Sequence, residues 1–329
     1  MNDKLLEYFN GDELAASTWF NKYAINGELT PDDMHRRMAK EFAKIEKTYE
    51  LFNRPTLLTD LSPHGQKIGF LDEDTIYQLF KDFKYVIPGG SVMATLGSDK
   101  LSSLSNCFVI DSPKDSISGI MNQLNNQSQL MKYRGGVGFD ISTLRPMGST
   151  VSNAAKTSTG AASFMDLFSN VTNTIAQNGR RGALMLSMNI NHPDIEEFIT
   201  KKQDLSKVTG ANVSVQITDD FMNAVERDKD YILRWPIDLD ITGVELFKNP
   251  YNELIIFGEG YIKRVKAKEL WDTLIHCAHN TAEPGIMFID RIHNYSPDGT
   301  YDDFRAVSTN PCGEIPMGPY DSCRLMHLN

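Results

Sequence analysis

Between residues 104 and 289 the sequence alternates short apolar runs with amphipathic stretches of helical period, and this rhythm restricts the fold more than any other feature. Residues 104–110, 137–141, 183–188, 211–217 and 285–289 read as strands. A helix capped by Asp115-Ser116 carries Ile117, Ile120, Met121 and Leu124 on one face and stops near Gly135. Residues 160–178 predict a second helix with Phe164, Met165, Phe168, Val171 and Ile175 inward, and Asn178-Gly179 ends it. His192-Pro193-Asp194 opens a third, which closes at Lys201-Lys202, and residues 268–281 form a fourth. Strands and helices in this order predict an α/β fold with a largely parallel sheet. Residues 231–265 break the rhythm with short β pieces between Asn249-Pro250 and Gly258-Glu259-Gly260 turns, a small β excursion.

Residues 1–85 read as mostly helical. Thr30-Pro31-Asp32-Asp33 opens a helix, because Thr caps, Pro suits the first turn and acids suit the positive helix end. Met34, Met38, Phe42, Ile45 and Tyr49 follow at helical spacing. Residues 85–90 look like a strand entering a glycine turn, and residues 324–329 read as one more strand.

With 329 residues the chain is long enough for one large domain or two ordinary ones. A net charge of -10 leaves no basic footprint for nucleic acid. No apolar run approaches the ~18 residues of a membrane span, and the first residues lack the basic flank and apolar stretch of an export signal. The expected location is cytoplasmic, where Cys107, Cys277, Cys312 and Cys323 stay reduced and serve as buried, catalytic or metal-binding thiols rather than structural bridges.

Four short segments invite chemistry. Gly135-Gly136-Val137-Gly138 lacks the third glycine of a dinucleotide fingerprint and any Gly-Lys-Ser/Thr, so it reads first as a helix stop entering a strand, though a glycine pair also lets a ligand approach the backbone. His276 and His279 share a helix face, but no HExxH or paired CxxC accompanies them. Arg180-Arg181 between Gly179 and Gly182 suits an anion-contacting loop as well as a solvated turn. Asn310-Pro311-Cys312-Gly313-Glu314 sets an amide, a thiol and a carboxylate on one loop. A neighbouring carboxylate raises a thiol's pKa, which disfavours thiolate catalysis and suits a thiol that stays protonated or carries a hydrogen atom. The bland alternative is a buried structural turn.

These segments belong to an ordered series: Leu104-Ser105-Asn106-Cys107, Asp115-Ser116-Ile117, Gly135-Gly136-Val137-Gly138-Phe139, Leu144-Arg145-Pro146, Arg180-Arg181-Gly182-Ala183, His192-Pro193-Asp194-Ile195, Pro284-Gly285-Ile286, Asn310-Pro311-Cys312-Gly313-Glu314 and Ser322-Cys323. In them the chain resembles the catalytic subunit of ribonucleotide reductase, in the form without an N-terminal ATP-cone. The resemblance covers residues from about 85 to 329 and is loose before that. It implies a helical region over 1–85, then over 86–329 the first five-stranded half of a ten-stranded α/β barrel, its central radical loop and the start of the second half.

The resemblance also implies roles. Cys312 would be the thiyl-radical residue that removes the 3′-hydrogen of a ribonucleotide, Glu314 the base on the 3′-hydroxyl, and Asn310 a hydrogen-bond donor to the ribose. Cys107 and Cys323, 216 positions apart, would be the redox pair that becomes a disulfide as the 2′-hydroxyl leaves as water. Cys277 has no part in this scheme and reads as helix packing. Ser105, Asn106 and Gly136 would contact substrate. Asp115, Ser116, Ile117 and Arg145 would form the site for a deoxynucleotide or ATP effector, and residues 177–183, with Gln177, Arg180 and Arg181, would relay effector identity. A second basic residue sometimes found seven positions after the Arg145 equivalent is Ser152 here.

The segment contexts resemble adenosylcobalamin-dependent members somewhat more than members served by a separate metal-bearing radical subunit. A thioredoxin- or glutaredoxin-type reductant and a homodimer are further expectations of the resemblance. The chain is expected to need a complementary C-terminal polypeptide, because half a barrel leaves strand edges and apolar faces open. Two other readings stand beside the enzyme: an inactive effector-binding or assembly fragment, and a metal-binding protein using Cys312, Cys323 and His327.

Overall fold

A computed structural model of the chain describes residues 3–25, 27–52, 71–175, 182–245 and 248–329. They form two units, Met1–Asn106 with Arg324–Asn329, and Cys107–Cys323. Among the described residues no helix is long and apolar enough to cross a membrane.

The first unit is built from helices α1 (Asp3–Tyr8), α2 (Glu13–Lys22), α3 (Pro31–Phe52), α4 (Glu73–Phe80) and α5 (Gly90–Thr95). Its core gathers Trp19, Met34, Met38, Ala39, Ile76, Tyr77 and Phe80. As α3 starts, the Asp33 carboxylate reaches back to accept the N–H groups of Leu29 and Thr30 at 2.9 and 3.0 Å, the returning half of a capping box. Ile45 and Tyr49, which follow at helical spacing, are exposed. Strand β1 (Val86–Pro88) does enter a glycine turn, and α5 begins at that turn. The terminal strand Met326–Leu328 pairs antiparallel with β1. The strand expected from residue 104 starts three residues later. Ser103 Oγ accepts the Ser105 N–H at 3.0 Å and donates to the Ser105 carbonyl at 2.9 Å, a local turn that competes with ladder pairing.

The second unit follows the alternating rhythm: β2 (Cys107–Val109), α6 (Ile117–Lys132), β3 (Gly136–Asp140), α7 (Met165–Thr174), β4 (Leu184–Asn189), α8 (Ile195–Thr200), β5 (Asn212–Ile217) and α9 (Asp219–Glu226). Then come the excursion strands β6 (Asp230–Trp235), β7 (Leu254–Phe257) and β8 (Gly260–Lys266), followed by α10 (Ala267–Thr281), β9 (Gly285–Phe288) and α11 (Ile289–Tyr295). Three short strands finish it: β10 (Ser308–Thr309), β11 (Pro316–Met317) and β12 (Ser322–Cys323).

The main sheet has the order β12-β2-β3-β4-β5-β9, with every pairing parallel except that of β12 with β2. Five parallel strands joined by helices are the expected half-barrel. The excursion is a separate antiparallel sheet, β6-β8-β7.

The two faces of the main sheet differ in character. Val137, Phe139, Leu184, Leu186, Met188, Val213, Val215 and Ile217 project one way into a core shared with Phe168, Phe198 and Phe221. Burying each such side chain contributes about 1.5–3 kcal/mol. The alternate positions are Gly136, Gly138 and Asp140 on β3, Met185, Ser187 and Asn189 on β4, and Asn212, Ser214 and Gln216 on β5. Apart from Met185, this second face is small or polar.

On α6, Ile120, Leu124 and Met131 reach the core, whereas Ile117 is 62% and Met121 48% exposed. A helix turns about 100° per residue, which sets positions 117 and 121 on the flank of the stripe centred on 120, 124, 127 and 131. The helix expected over 160–178 is a short 3₁₀ turn (Ala161–Phe164) followed by α7, with Met165 and Phe168 buried as anticipated. Cys277 packs into the core from α10.

Candidate active site

The small, polar face of the sheet receives the loop between β10 and β11. An added Cβ at Gly138 would lie 1.9 Å from the Thr309 carbonyl oxygen, and one at Gly136 would lie 2.8 Å from Pro311 Cγ. The glycines read as a helix stop therefore admit the chain's own loop, backbone against backbone. From the next strands, Asn212 Nδ2 donates to the Pro311 carbonyl at 2.8 Å, and Gln216 Nε2 donates to that of Val307 at 2.8 Å. Ser187 and Ser308 share a hydroxyl hydrogen bond of 2.9 Å.

Inside the loop the turn is closed by its own backbone. Asn310 N–H donates to the Ile315 carbonyl, Gly313 N–H to the Asn310 carbonyl, and Ile315 N–H to Asn310 Oδ1, at 3.1, 3.0 and 3.0 Å. Gly313 takes φ +86°, a conformation that a Cβ disfavours. Asn310 is fully buried while Cys312, Gly313 and Glu314 are exposed, so the loop presents a thiol and a carboxylate at its tip.

Beside that tip lies the cysteine pair. In the antiparallel ladder of β12 with β2, Cys323 stands directly opposite Cys107. Such partners have Cα atoms ~4.5–5.5 Å apart, inside the range a disulfide needs. Both thiols are free. The Cys312 and Cys323 thiols, the Asn310 side chain and the Glu314 carboxylate all bear electrostatically on Cys107. The turn residues 310–315 and the β2–β12 ladder thus bring together all five positions assigned to catalysis and redox exchange. Cys323 Sγ also meets Met317 Sδ at 4.0 Å.

Every thiol of this cluster is pushed above its usual pKa. For Cys312 the causes are desolvation and then the Glu314 carboxylate, against a hydrogen bond with Cys107. For Cys107 they are burial and the neighbouring Cys312, offset by Asn310. Burial and Cys107 push Cys323 up to about 12. At neutral pH all three are thiols, the form that gives up a hydrogen atom or, as a pair, two electrons and two protons. Asn310 Nδ2 is buried and has no nitrogen or oxygen partner among the described residues, which leaves a donor for an incoming hydroxyl.

Residues Ser105 and Asn106 lie in the first unit, where Asn106 Oδ1 is buried without a partner among the described residues. Gly136 lies under Pro311. The positions assigned to an effector are divided in their tasks. Asp115 holds the Arg145 guanidinium through Nε and Nη2 at 2.8 and 2.7 Å and accepts the Arg145 N–H at 3.0 Å. Ser116 Oγ caps α6 by accepting the Gly119 N–H at 3.0 Å. Ile117 is exposed beside them. His192 Nε2 bonds the Leu144 carbonyl at 2.8 Å and Asp194 accepts the N–H groups of Met147 and Ala161, so the His-Pro-Asp motif fixes the turn that carries Arg145. Gln177, Arg180 and Arg181 lie outside the described residues.

Sequence reasoning missed the side chains that seat the loop, Ser187, Asn212 and Gln216, and read Gly138 only within a helix stop entering a strand. Their signal is the period-two alternation in Gly136–Asp140 and Asn212–Ile217, where every second residue is small or polar although the strands are buried on both faces. Among the described residues no three His, Cys, Asp or Glu side chains gather as a metal site. His276 instead shares a 3.0 Å hydrogen bond with Asn280.

Comparison with known proteins agrees with this geometry. The profile "Ribonucleotide reductase, barrel domain" matches residues 105–329. The vitamin B12-dependent ribonucleoside-diphosphate reductase of Thermoplasma acidophilum is 34% identical over 91% of this chain and 41% of its own length. The enzyme of the same name from Mycobacterium tuberculosis (strain CDC 1551 / Oshkosh) is 34% identical over 74% of this chain and 32% of its own length. The ribonucleoside-diphosphate reductase large chain of Neurospora crassa is 29% identical over 64% of this chain and 24% of its own. The chain thus spans less than half the length of these relatives. Since the matched region takes in the parallel sheet, the Cys312 loop and both strand cysteines, the chain belongs to the ribonucleotide reductase family.

Proposed function

We propose that this chain carries the thiol centre at which a ribonucleotide is reduced to its 2′-deoxyribonucleotide. The observation that carries the reading is the convergence of Cys312, Cys107 and Cys323: two thiols in ladder register and a third close enough to raise the pKa of one of them. Relatives named as ribonucleoside-diphosphate reductases support a diphosphate substrate.

In this scheme Cys312, having lost its S–H hydrogen atom, takes the 3′-hydrogen of the ribose. Glu314 accepts the proton of the 3′-hydroxyl, and the free Asn310 Nδ2 donates to the sugar. The 2′-hydroxyl leaves as water. Cys107 and Cys323 supply two electrons and two protons and end as a disulfide, and Cys312 returns a hydrogen atom to C3′. The net change is ribonucleotide plus two thiols to deoxyribonucleotide, disulfide and water. Raised thiol pKa values suit this exchange because each sulfur enters as S–H. A thioredoxin- or glutaredoxin-type dithiol restores the pair, consistent with a cytoplasmic setting.

The names of the Thermoplasma and Mycobacterium relatives favour adenosylcobalamin, which supplies a hydrogen-abstracting radical when bound. The exposed Cys312 tip fits access by that cofactor and equally by a separate radical subunit. Asp115, Ser116, Ile117 and Arg145 serve a nucleoside triphosphate effector, with the Asp115–Arg145 pair as its preformed anchor and residues 177–183 as the relay.

The test supplies this chain with the remaining length of a reductase polypeptide, a ribonucleoside diphosphate, a dithiol and adenosylcobalamin. Deoxynucleotide formation is expected, and Cys312→Ala abolishes it. Without external dithiol, one turnover leaves a Cys107–Cys323 disulfide that peptide mapping detects; a different pairing, or turnover by the Cys312→Ala protein, refutes the assignment.

A further inference from the structure

Beneath the Cys312 loop lies a buried polar group that the reaction scheme does not use. Asp140 ends β3 and is 6% exposed. Its Oδ1 accepts from Ser142 Oγ at 2.9 Å, Gln216 Nε2 at 3.1 Å and Ser187 Oγ at 3.4 Å, while Oδ2 accepts the Ser142 N–H at 2.9 Å. These neighbours come from the end of β3, from β4 and from β5, and all are uncharged.

Ser142 Oγ already accepts the Asn189 N–H at 2.7 Å, so its hydrogen is free for Asp140. Gln216 Nε2 has two hydrogens and three acceptors in reach: Asp140 Oδ1, Ser187 Oγ at 3.1 Å and the Val307 carbonyl at 2.8 Å. A carboxylate is the strongest of these acceptors and Val307 the closest, so they take the two hydrogens. Ser187 Oγ lies 3.4 Å from Asp140 Oδ1 and 2.9 Å from Ser308 Oγ, and either serine hydroxyl can donate to the other. Gln216 thus donates both to Asp140 and to the Val307 carbonyl, and Ser187 lies between Asp140 and Ser308, so two links join Asp140 to residues 307 and 308, immediately before the turn that carries Asn310 and Cys312.

We infer that Asp140 is a positioning residue of the Cys312 loop: through Gln216 and Ser187 it holds residues 307–308 and so sets where Cys312 stands relative to Cys107. This rests on the reductase reading only for the meaning of that position, and its test needs no turnover. Burial pushes the Asp140 carboxyl up to about 7 against the bonds from Ser142 and Ser187, so these neutral donors alone hold its ionised form. Asparagine at 140 is nearly isosteric but turns an N–H₂ group either toward the Ser142 N–H or toward the donors now gathered on Oδ1, and one set loses its acceptor.

The experiment bridges Cys107 and Cys312 with dibromobimane in the reduced full chain carrying Cys323→Ser, at fixed pH 8, with peptide mapping of the product. Asp140→Asn is expected to lower the bridging rate about fivefold, and Ser308→Ala to lower it comparably; combined, they lower it no further than the larger single effect, as expected for one network. Thermal unfolding of each variant separates a moved loop from an unfolded chain. Unchanged bridging in folded Asp140→Asn overturns the proposal, as do fully additive effects. Should Asp140→Asn fail to fold, Ser308→Ala, which leaves the sheet side chains in place, decides: an unchanged rate overturns it. No deoxynucleotide formation by the reconstituted wild-type protein, with bridging lowered by Asp140→Asn as expected, would instead count against the reductase reading.

Discussion

Two carboxylates in the same unit are compensated in opposite ways. In the excursion sheet, Asp230 lies against Arg264 and Lys266, with the Tyr251 hydroxyl on both its oxygens at 2.9 Å. Partial burial works to raise its pKa, but hydrogen bonds from Arg264, Tyr251 and Lys266 outweigh that and hold it below the usual range. Under the Cys312 loop, Asp140 meets hydroxyls, an amide and a backbone N–H, and burial pushes it up to about 7. Cations make the first acid a fixed peg whose charge is settled at any physiological pH. Neutral donors leave the second dependent on its geometry. A region that only needs to stay folded uses the first device; the seat of a loop that must hold a thiol in place uses the second.

The largest expected effect tests the seat itself. Gly138→Ala places a methyl group where the Thr309 carbonyl oxygen now lies, so either the strand or the loop must move. Overpacking of this kind costs about 3 kcal/mol or somewhat more, measurable by urea unfolding. Cys107–Cys312 bridging should fall with it. In the excursion, Gly258 has nothing within 4 Å of an added Cβ, and Gly258→Ala should carry only the cost of its φ of +56°. Equal losses at the two glycines would erase the contrast between a crowded seat and an open hairpin.

How much of this was legible beforehand follows from the same physics. Strand and helix order was readable because buried strands and amphipathic helices leave strong periodic signals, and a largely parallel sheet follows from them; the half-barrel was implied by the family resemblance. Cys107, Cys312 and Cys323 were identified through ordered motifs, not through spacing, since Cys107 and Cys323 meet only by strand pairing. The seat was not read, although Gly138, Ser187 and Gln216 alternate with core residues. Their partner, the loop, is remote: 121 positions separate Ser187 from Ser308. Arg145 was placed at the effector site, and nothing local revealed that Asp115, 30 positions earlier, already engages it. Ile117 and Met121 read as core because their helix stripe is wider than the face the sheet covers.

A pH series sharpens the comparison next. Asp140 has a folded pKa above the ordinary ~3.9 of an unfolded aspartate, so the folded chain holds this proton more tightly. Its contribution to stability is complete below about pH 4 and is lost as pH rises through about 7. Asp230 has the opposite sign: its contribution is complete above about pH 4 and is lost only as pH falls through its depressed folded value. Calorimetry between pH 4 and 7.5 should show a decline that Asp140→Asn flattens and Asp230→Asn leaves in place. A decline that survives Asp140→Asn would assign it to other groups and remove the basis for the contrast.

The smallest expected effect marks where the excursion stops mattering. Ile256 on β7 is 69% exposed and sits opposite Tyr261 of β8, which itself bonds the Thr150 N–H at 2.8 Å. Ile256→Ser removes little buried surface and leaves the ladder and the Asp230 cluster intact, so stability should change by no more than about 0.5 kcal/mol. Tyr261→Phe deletes a single partly exposed hydrogen bond and should cost about 1 kcal/mol. If Ile256→Ser proved the costlier of the two, the outer side of β7 would be packed against something in solution, and the excursion would be an interface rather than a peg-stabilised hairpin.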